Sequence, residues 1–414
     1  MNMGMEVYMK LVRLVPAIAA VGLILTACGG DNTATTPTAT IPAGLSVSSF
    51  DVNFTTMATL KDLHAAGKGL VGVLLPDTTS SVRYVNFDQP YLTKAFQLAG
   101  YSASEFKIDN AQGNAATQLA QAQADITQGA KVLVMDPLDS TVGTQIQAAA
   151  AAKGVKLISY DRATFTGTNT YYVSFDNVQV GKLIGQGFKD CVTAWNVPSP
   201  KVFTLNGGQD TDPNAIDFAK GYNSVVWGDS VAQETVGKTA NGLTLVGDQV
   251  APGWDNSKGQ AIFQAQYSAH PEINATIEAN DGLANAVVTV LKQKGTAAKK
   301  VPTVGQDATL QGIQNVLQDY QCGSVYKAVY LEAQDAVALA TILRAGLTPP
   351  AALVNSTTSP AAGKPGSTQP ASLLTPIWVD KSKVAATVIK DNFVDKAALC
   401  QAVTAAVCSA NGIS

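Results

Sequence analysis

Six apolar runs each lead directly into side chains able to recognise or transform a small polar molecule. Run 157–160 leads into Asp161 and Arg162, and run 201–205 leads into a stretch holding Asp212 and Asn214. Run 275–279 is followed by Asn280 and Asp281, run 301–305 by Gln306 and Asp307, and run 324–326 by Lys327. Run 70–75 precedes a segment, 76–84, that ends in Arg83 and Tyr84. Carboxylates accept hydrogen bonds from neighbouring hydroxyls, guanidinium and ammonium groups donate them, and a side-chain amide does both. Trp254, in Pro252-Gly-Trp-Asp, and Tyr84 add aromatic faces for C–H patches. Acids, amides, bases and aromatics together suit a neutral polyol such as a sugar. An anion would call for fewer carboxylates and more helix N-termini.

Other chemistries have little to work with. The two histidines, His64 and His270, are far apart, and the five cysteines include no Cys-x-x-Cys pair. Histidine catalysis and a zinc site therefore lack support, and neither a metal nor a cofactor is expected. No Gly-x-Ser-x-Gly, Walker loop or post-strand Gly-x-Gly-x-x-Gly occurs. A glycosidase needs one carboxyl acting as acid and another as nucleophile or base. No such pair stands out, and Arg162 beside Asp161 favours a permanently ionised acceptor, so an enzyme is not expected. A net charge of −3 over 414 residues, 14% of them charged, argues against a nucleic-acid partner.

The elements that would position these residues alternate regularly. From residue 68, short apolar runs without internal polar residues alternate with amphipathic stretches at 90–100, 115–128 and up to 152. After 171–177 the alternation restarts, with strands expected at 201–205, 243–247, 275–279 and 301–305, each followed by a helix. Such a pattern predicts parallel sheets covered on both faces. Ligand sites in open α/β sheets lie at the carboxyl ends of strands, where the residues above stand. A late strand is expected over 373–379 and a helix over 382–391. Asp281 reads as a cap for a helix starting near Leu283, and Asp307 could also cap a helix starting at Ala308.

The N-terminus has another character. Lys10 and Arg13 precede an apolar run, 14–26, too short to span a bilayer comfortably. It ends in Leu25-Thr-Ala-Cys28, which resembles the bacterial lipobox, in which the cysteine becomes the lipidated first residue. Residues 1–28 are accordingly read as a lipoprotein signal peptide and Cys28 as the lipidation site. Residues 29–67 are read as a flexible tether and N-terminal extension. In an oxidising compartment the other four cysteines can pair, Cys400 with Cys408 locally and Cys191 with Cys322 at long range. The sequence leaves that connectivity open. A Pro, Ala, Ser and Thr-rich stretch, 348–371, reads as an exposed low-complexity loop, and 396–414 as a C-terminal tail.

Several segments resemble one family in order and spacing. They are Ser159-Tyr-Asp-Arg, Tyr172-Val-Ser-Phe-Asp-Asn-Val-Gln-Val-Gly181, Leu205-Asn-Gly-Gly with Asp212-Pro-Asn-Ala, and Pro252-Gly-Trp. Ala279-Asn-Asp-Gly, Val304-Gly-Gln-Asp-Ala, Ser324-Val-Tyr-Lys and Leu374-Thr-Pro-Ile continue the series. The set, covering roughly 68–395, is similar to the periplasmic sugar-binding proteins of ABC importers, ribose/xylose-binding class, and most to the xylose-binding ones. The resemblance implies an α/β fold of periplasmic binding protein type I: two doubly wound parallel-sheet domains joined by a three-crossing hinge. Crossings would fall near Ser174, Tyr326 and Thr375. The lobes would be 68–173 with 328–347, and 176–325 with 372–395.

It further implies a monosaccharide, a xylose-like pentose or related aldose, held between the lobes. Asp161 and Arg162, with Arg83 and Tyr84, would bind it from the first lobe. Asp212, Asn214, Asn280, Asp307 and Lys327 would do so from the second lobe and hinge, with Trp254 stacking. Segment 77–84 is one residue longer than the family pattern. The implied partner is an ABC permease, reached by a monomer tethered outside the cytoplasm to the membrane through its lipid and read after hinge closure. A receptor presenting a sugar or polyol signal to a membrane sensor or chemoreceptor would share this site. A sugar-sensing transcription regulator would instead need an N-terminal helix-turn-helix.

Overall fold

The computed structural model describes residues 39–165, 170–360 and 366–413. The expected signal peptide, 1–28, and its lipidation site Cys28 lie outside the described residues. Apolar, β-branched runs become strands β1 (Leu70–Leu75), β2 (Phe106–Asn110), β3 (Ala130–Met135), β4 (Lys156–Tyr160) and β5 (Thr170–Phe175). The next strands are β6 (Lys201–Gly207), β7 (Thr239–Ala240), β8 (Leu243–Ala251), β9 (Ala275–Glu278), β10 (Gly305–Gln306) and β11 (Gly323–Tyr326). Last come β12 (Ser356–Thr358), β13 (Gln369–Leu374) and β14 (Ile377–Asp380).

The first lobe is built on a seven-stranded sheet in the order β12-β13-β5-β4-β3-β1-β2, parallel except for the β12–β13 pair. The second lobe holds a four-stranded sheet, β7-β8-β6-β9, and a three-stranded one, β10-β11-β14. The backbone N–H of Thr276 donates to Pro302 O at 2.9 Å and links these two sheets. The chain passes between lobes three times: from β5 into helix Asn177–Ala194, from β11 into helix Val329–Arg344, and from β13 into β14. Helix Val329–Arg344 is buried along nearly its whole length in the first-lobe core. In the second lobe, helices Asn177–Ala194 and Pro213–Val226 meet at glycines. A Cβ on Gly181 would lie 2.0 Å from Phe218 O, so only glycine permits that approach.

Several expectations need correction. Residues 39–66 are no free tether: they form three short helices, and Phe50, Phe54, Met57, Leu60 and Leu63 join the first-lobe core. Their apolar side chains gain more by burial than the chain loses in freedom. The run 373–379 is two strands in two sheets. Thr375-Pro376 breaks it, since proline supplies no ladder N–H, and one hinge crossing falls there. Residues 369–374 therefore extend the first sheet, with Ala371 opposite Tyr172, so 372–374 stand in the first lobe and 348–371 is not all loop.

The expected strand 301–305 shrinks to Gly305–Gln306 because Pro302 has no N–H and Val304 N donates to the Glu278 side chain at 2.9 Å. The expected helix 382–391 is a short π-helical turn, Ala385–Ile389. Residues 396–413 form helices Lys396–Val403 and Ala405–Ala410, with Leu399, Val403 and Ile413 buried, and so are not a loose tail. Disulfides join Cys191 to Cys322 and Cys400 to Cys408.

Candidate functional site

The carboxyl ends of β1, β4, β6, β9, β10 and β11 converge on one cavity between the lobes. Arg83, Tyr84, Asp161, Arg162, Asp212, Asn214, Trp254, Asn280, Asp307 and Lys327 all line it. Ser80, Ser81, Phe218 and Gln306 line it too and were not singled out in the sequence. Phe218 lies one helical turn beyond Asn214, on the same face, a spacing that could have revealed it. Gln306 directly precedes Asp307.

Arg83 is the electrostatic centre. Its Nε and Nη2 donate to the two Asp88 oxygens at 2.8 Å each, Nη2 also donates to Glu332 at 2.7 Å, and Nη1 donates to Asp161 Oδ1 at 2.6 Å. Four of the five guanidinium N–H bonds are thus engaged. A buried cation is tolerable only with such pairing. Burial alone would raise the Asp161 pKa, but Arg83, Lys327 and Arg162 hold the carboxyl below its ordinary value. Glu332 is pushed up to about 8, by burial first, against the pull of Arg83. Asp88 and Glu332 escaped the sequence reading because both sit inside helical segments rather than at strand ends.

Arg162 lies over the Tyr84 ring at 5.7 Å and donates to Leu138 O at 3.1 Å. Its Nε is 3.4 Å from Asp212 Oδ2 and 3.8 Å from Asp136 Oδ1. Burial raises the Asp136 and Asp212 pKa values against that cation. Opposite charges at the end of β4 therefore serve different neighbours: Asp161 pairs with Arg83, while Arg162 faces the acid of the other lobe.

Two second-lobe residues spend their polar atoms on the protein. Asp212 caps helix Pro213–Val226 through Asn214 N at 2.9 Å and accepts from Trp254 Nε1 at 3.2 Å. Asn214 donates to Asp161 O at 2.6 Å, and the Tyr172 hydroxyl lies within 3.1 Å of its Oδ1 and 2.7 Å of the same Asp161 O. With Ser140 N donating to Thr211 O at 3.2 Å, these bonds hold the lobes together beside the cavity. Trp254 packs edge-on to Phe218 and against Gly207 and Gly208, where any Cβ would lie within about 2.2 Å of its indole.

Other atoms are left for a ligand. Asn280 caps its helix with Oδ1, accepting from Leu283 N at 2.9 Å, which leaves Nδ2 as a donor. The cap is therefore Asn280, not Asp281. Asp281 is buried and ties down the loop after β10 by accepting from Thr309 N at 2.8 Å. Nor does Asp307 cap: Thr309 caps helix Leu310–Leu317, and Asp307, at φ 93°, pairs with Lys327 Nζ at 3.0 Å. Burial would lower the Lys327 pKa, but Asp307 and Asp161 raise it, so the ammonium persists. Gln306 Oε1 is buried without a partner among the described residues. Together these groups offer donors and acceptors in a closed space, the requirement for holding several hydroxyls.

Residues 71–347 match the family model described as periplasmic binding protein domain. The chain is 33% identical over 290 residues to the D-xylose-binding periplasmic protein of Escherichia coli (strain K12), covering 69% of this chain and 80% of that one. It is 31% identical over 344 residues to a multiple sugar-binding periplasmic protein of Azospirillum brasilense, covering 80% of this chain and 92% of that one. Among solved structures, an ABC transporter solute binding protein from Clostridium phytofermentans with bound β-D-glucose is similar in fold. Its TM-score is 0.68 at 24% identity, over 80% of this chain and 99% of that one.

Proposed function

Because the chain belongs to the periplasmic binding protein domain family, we propose that it is the substrate-binding subunit of an ABC sugar importer, taking a monosaccharide into the interlobe cavity. The observation that carries this reading is the convergence of ten sequence-nominated residues from both lobes on one cavity. The sugar is a xylose-like pentose or related aldose, in keeping with what the E. coli relative is named for. Asp161, Asp307, Asn280, Gln306 and Lys327 bind its hydroxyls; Trp254 and Phe218 supply the apolar side. Arg83, Arg162, Asp212 and Asn214 hold the walls and the closed geometry.

Closure around the sugar shifts the population toward a shape that a permease reads. No reaction is catalysed and no cofactor is needed. Cys28 carries the lipid that keeps a monomeric domain outside the cytoplasm at the membrane.

The test is a thermal-shift screen of the chain lacking its first 28 residues against pentoses and hexoses. A ligand at a hundredfold excess over its Kd adds about 2.7 kcal/mol to stability. D-Xylose or a related aldose raises the Tm, and Asp161→Ala or Asp307→Ala abolishes the rise. Absence of a shift with every sugar refutes the reading. Cys28→Ala, expected to move the protein from the membrane fraction to the soluble one, tests the anchor.

A further inference from the structure

The sugar cavity does not end at its own wall. Ser80, Ser81, Asn280 and Asp307 line it and also line a larger groove that runs outward between the lobes. The groove is rich in amides. Asn86 of the first lobe and Gln260, Asn285, Gln311 and Gln314 of the second line it, and its charged residues are only Asp307 and Asp395. Asn86 and Gln311 are exposed. Its apolar lining comes from Val82, Phe87, Leu310 and Phe393. Val82 and Leu310 are exposed at 49% and 37%, large for aliphatic side chains. Amides that donate and accept, beside aliphatic and aromatic C–H surface, form a lining suited to a sugar ring. No lysine or arginine is present to favour a phosphate or a uronate.

One wall comes late in the chain. Phe393, Val394 and Asp395 follow the stretch 71–347 matched by the family model. Phe393 is fixed by stacking on Phe87, with centroids 4.1 Å apart and planes at 12°, and by an edge contact with Tyr326 at 4.8 Å. Behind it, Asp391 accepts from the Tyr326 and Tyr330 hydroxyls at 3.1 and 3.0 Å. The wall is therefore built and held in place rather than being a chance edge of an open cleft.

We propose that this groove is a second sugar subsite, so that the natural ligand is a neutral oligosaccharide or glycoside whose terminal ring enters the cavity. The proposal rests on the reading of the cavity as a monosaccharide site. The second ring lies against Val82, Phe87 and Leu310, and its hydroxyls meet Asn86, Gln311 and Gln314.

Isothermal titration of the chain lacking its first 28 residues with D-xylose, D-glucose, xylobiose, cellobiose, maltose and gentiobiose tests it. At least one disaccharide is expected to bind about tenfold tighter than its parent monosaccharide, the gain that one or two further hydrogen bonds provide. The Asn86→Ala/Gln311→Ala/Gln314→Ala variant abolishes that gain and leaves the monosaccharide affinity and the Tm unchanged, since none of the three contributes to the core. The subsite is overturned, and the importer reading kept, if monosaccharides bind and no disaccharide binds more tightly. It is also overturned if the triple variant leaves the disaccharide gain intact. Binding of no sugar at all overturns both.

Discussion

The bond from Asn214 Nδ2 to the Asp161 carbonyl predicts a measurable shift in lobe closure. It is 2.6 Å long and joins a helix of the second lobe to the end of β4 in the first, with both residues buried. Asn214→Ala removes it and the acceptor near the Tyr172 hydroxyl, while Asp161 O keeps Tyr172 at 2.7 Å, so no buried carbonyl is stranded. One hydrogen bond of this kind contributes about 1.4 kcal/mol net, a factor of about ten in the closing equilibrium. Because the bond spans the lobes, its loss falls on closure and not on the folding of either lobe. Single-molecule energy transfer between dyes on the two lobes reads the closed fraction of the sugar-free protein, which is expected to fall about tenfold. Apparent sugar affinity falls by the same factor when the closed form is the minor one. An unchanged closed fraction in the variant, whatever happens to affinity, refutes the reasoning, because a residue that only touched sugar would leave the empty protein alone.

Three further outcomes follow from buried groups and cross-links. Arg83→Met strands Asp88, Asp161 and Glu332, and urea titration is expected to show a loss of about 3–5 kcal/mol, as when one partner of a buried pair is removed. That loss shrinks at acid pH as Asp161, whose pKa Arg83 holds down in the native protein, takes up its proton. Glu278, its pKa raised from 4.5 to about 8 by burial, keeps its proton in the folded state, so the stability it permits is full below pH 4.5 and falls as pH rises toward 8. Glu278→Gln removes the titration, and the variant's advantage in urea midpoint grows from pH 5 to pH 8, with a ceiling of about 5 kcal/mol. The Cys191–Cys322 disulfide closes 131 residues and Cys400–Cys408 only 8. Cys191→Ala/Cys322→Ala is therefore expected to lower the Tm more than Cys400→Ala/Cys408→Ala, as loop-closure entropy requires.

Much of this was legible because parallel strands buried on both faces leave uninterrupted apolar runs whose ends mark the cleft. The residues after those runs proved to be cavity wall, from Arg83 to Lys327. What stayed hidden depends on distant partners. Nothing near Arg83 in the sequence announces that Glu332, 249 residues away, accepts one of its hydrogen bonds. The cap expected at Asp281 falls one position earlier, at Asn280, and the cap that Asp307 could also have supplied comes from Thr309, because adjacent polar residues compete for one role and backbone geometry chooses. Residues 39–66 and 396–413 look unpatterned because they contribute single anchors such as Met57 and Leu399 to a core built elsewhere, and not a periodic face of their own.

The buried helix Val329–Arg344 and strand β13 have a consequence for how the chain reaches this structure. The first lobe starts early in the sequence, yet its central helix and two sheet strands come after the second lobe has been passed. During synthesis, residues 70–175 emerge with the helix-binding face of their sheet uncovered, and they stay so until residues 329–374 leave the ribosome. Residues 177–325, by contrast, contain both sheets of the second lobe except β14. The second lobe is thus in a position to fold first although it is made second, and contacts of such long sequence separation slow completion of the first. A nascent chain halted near residue 325 is expected to protect the second lobe from protease while the first lobe is still digested.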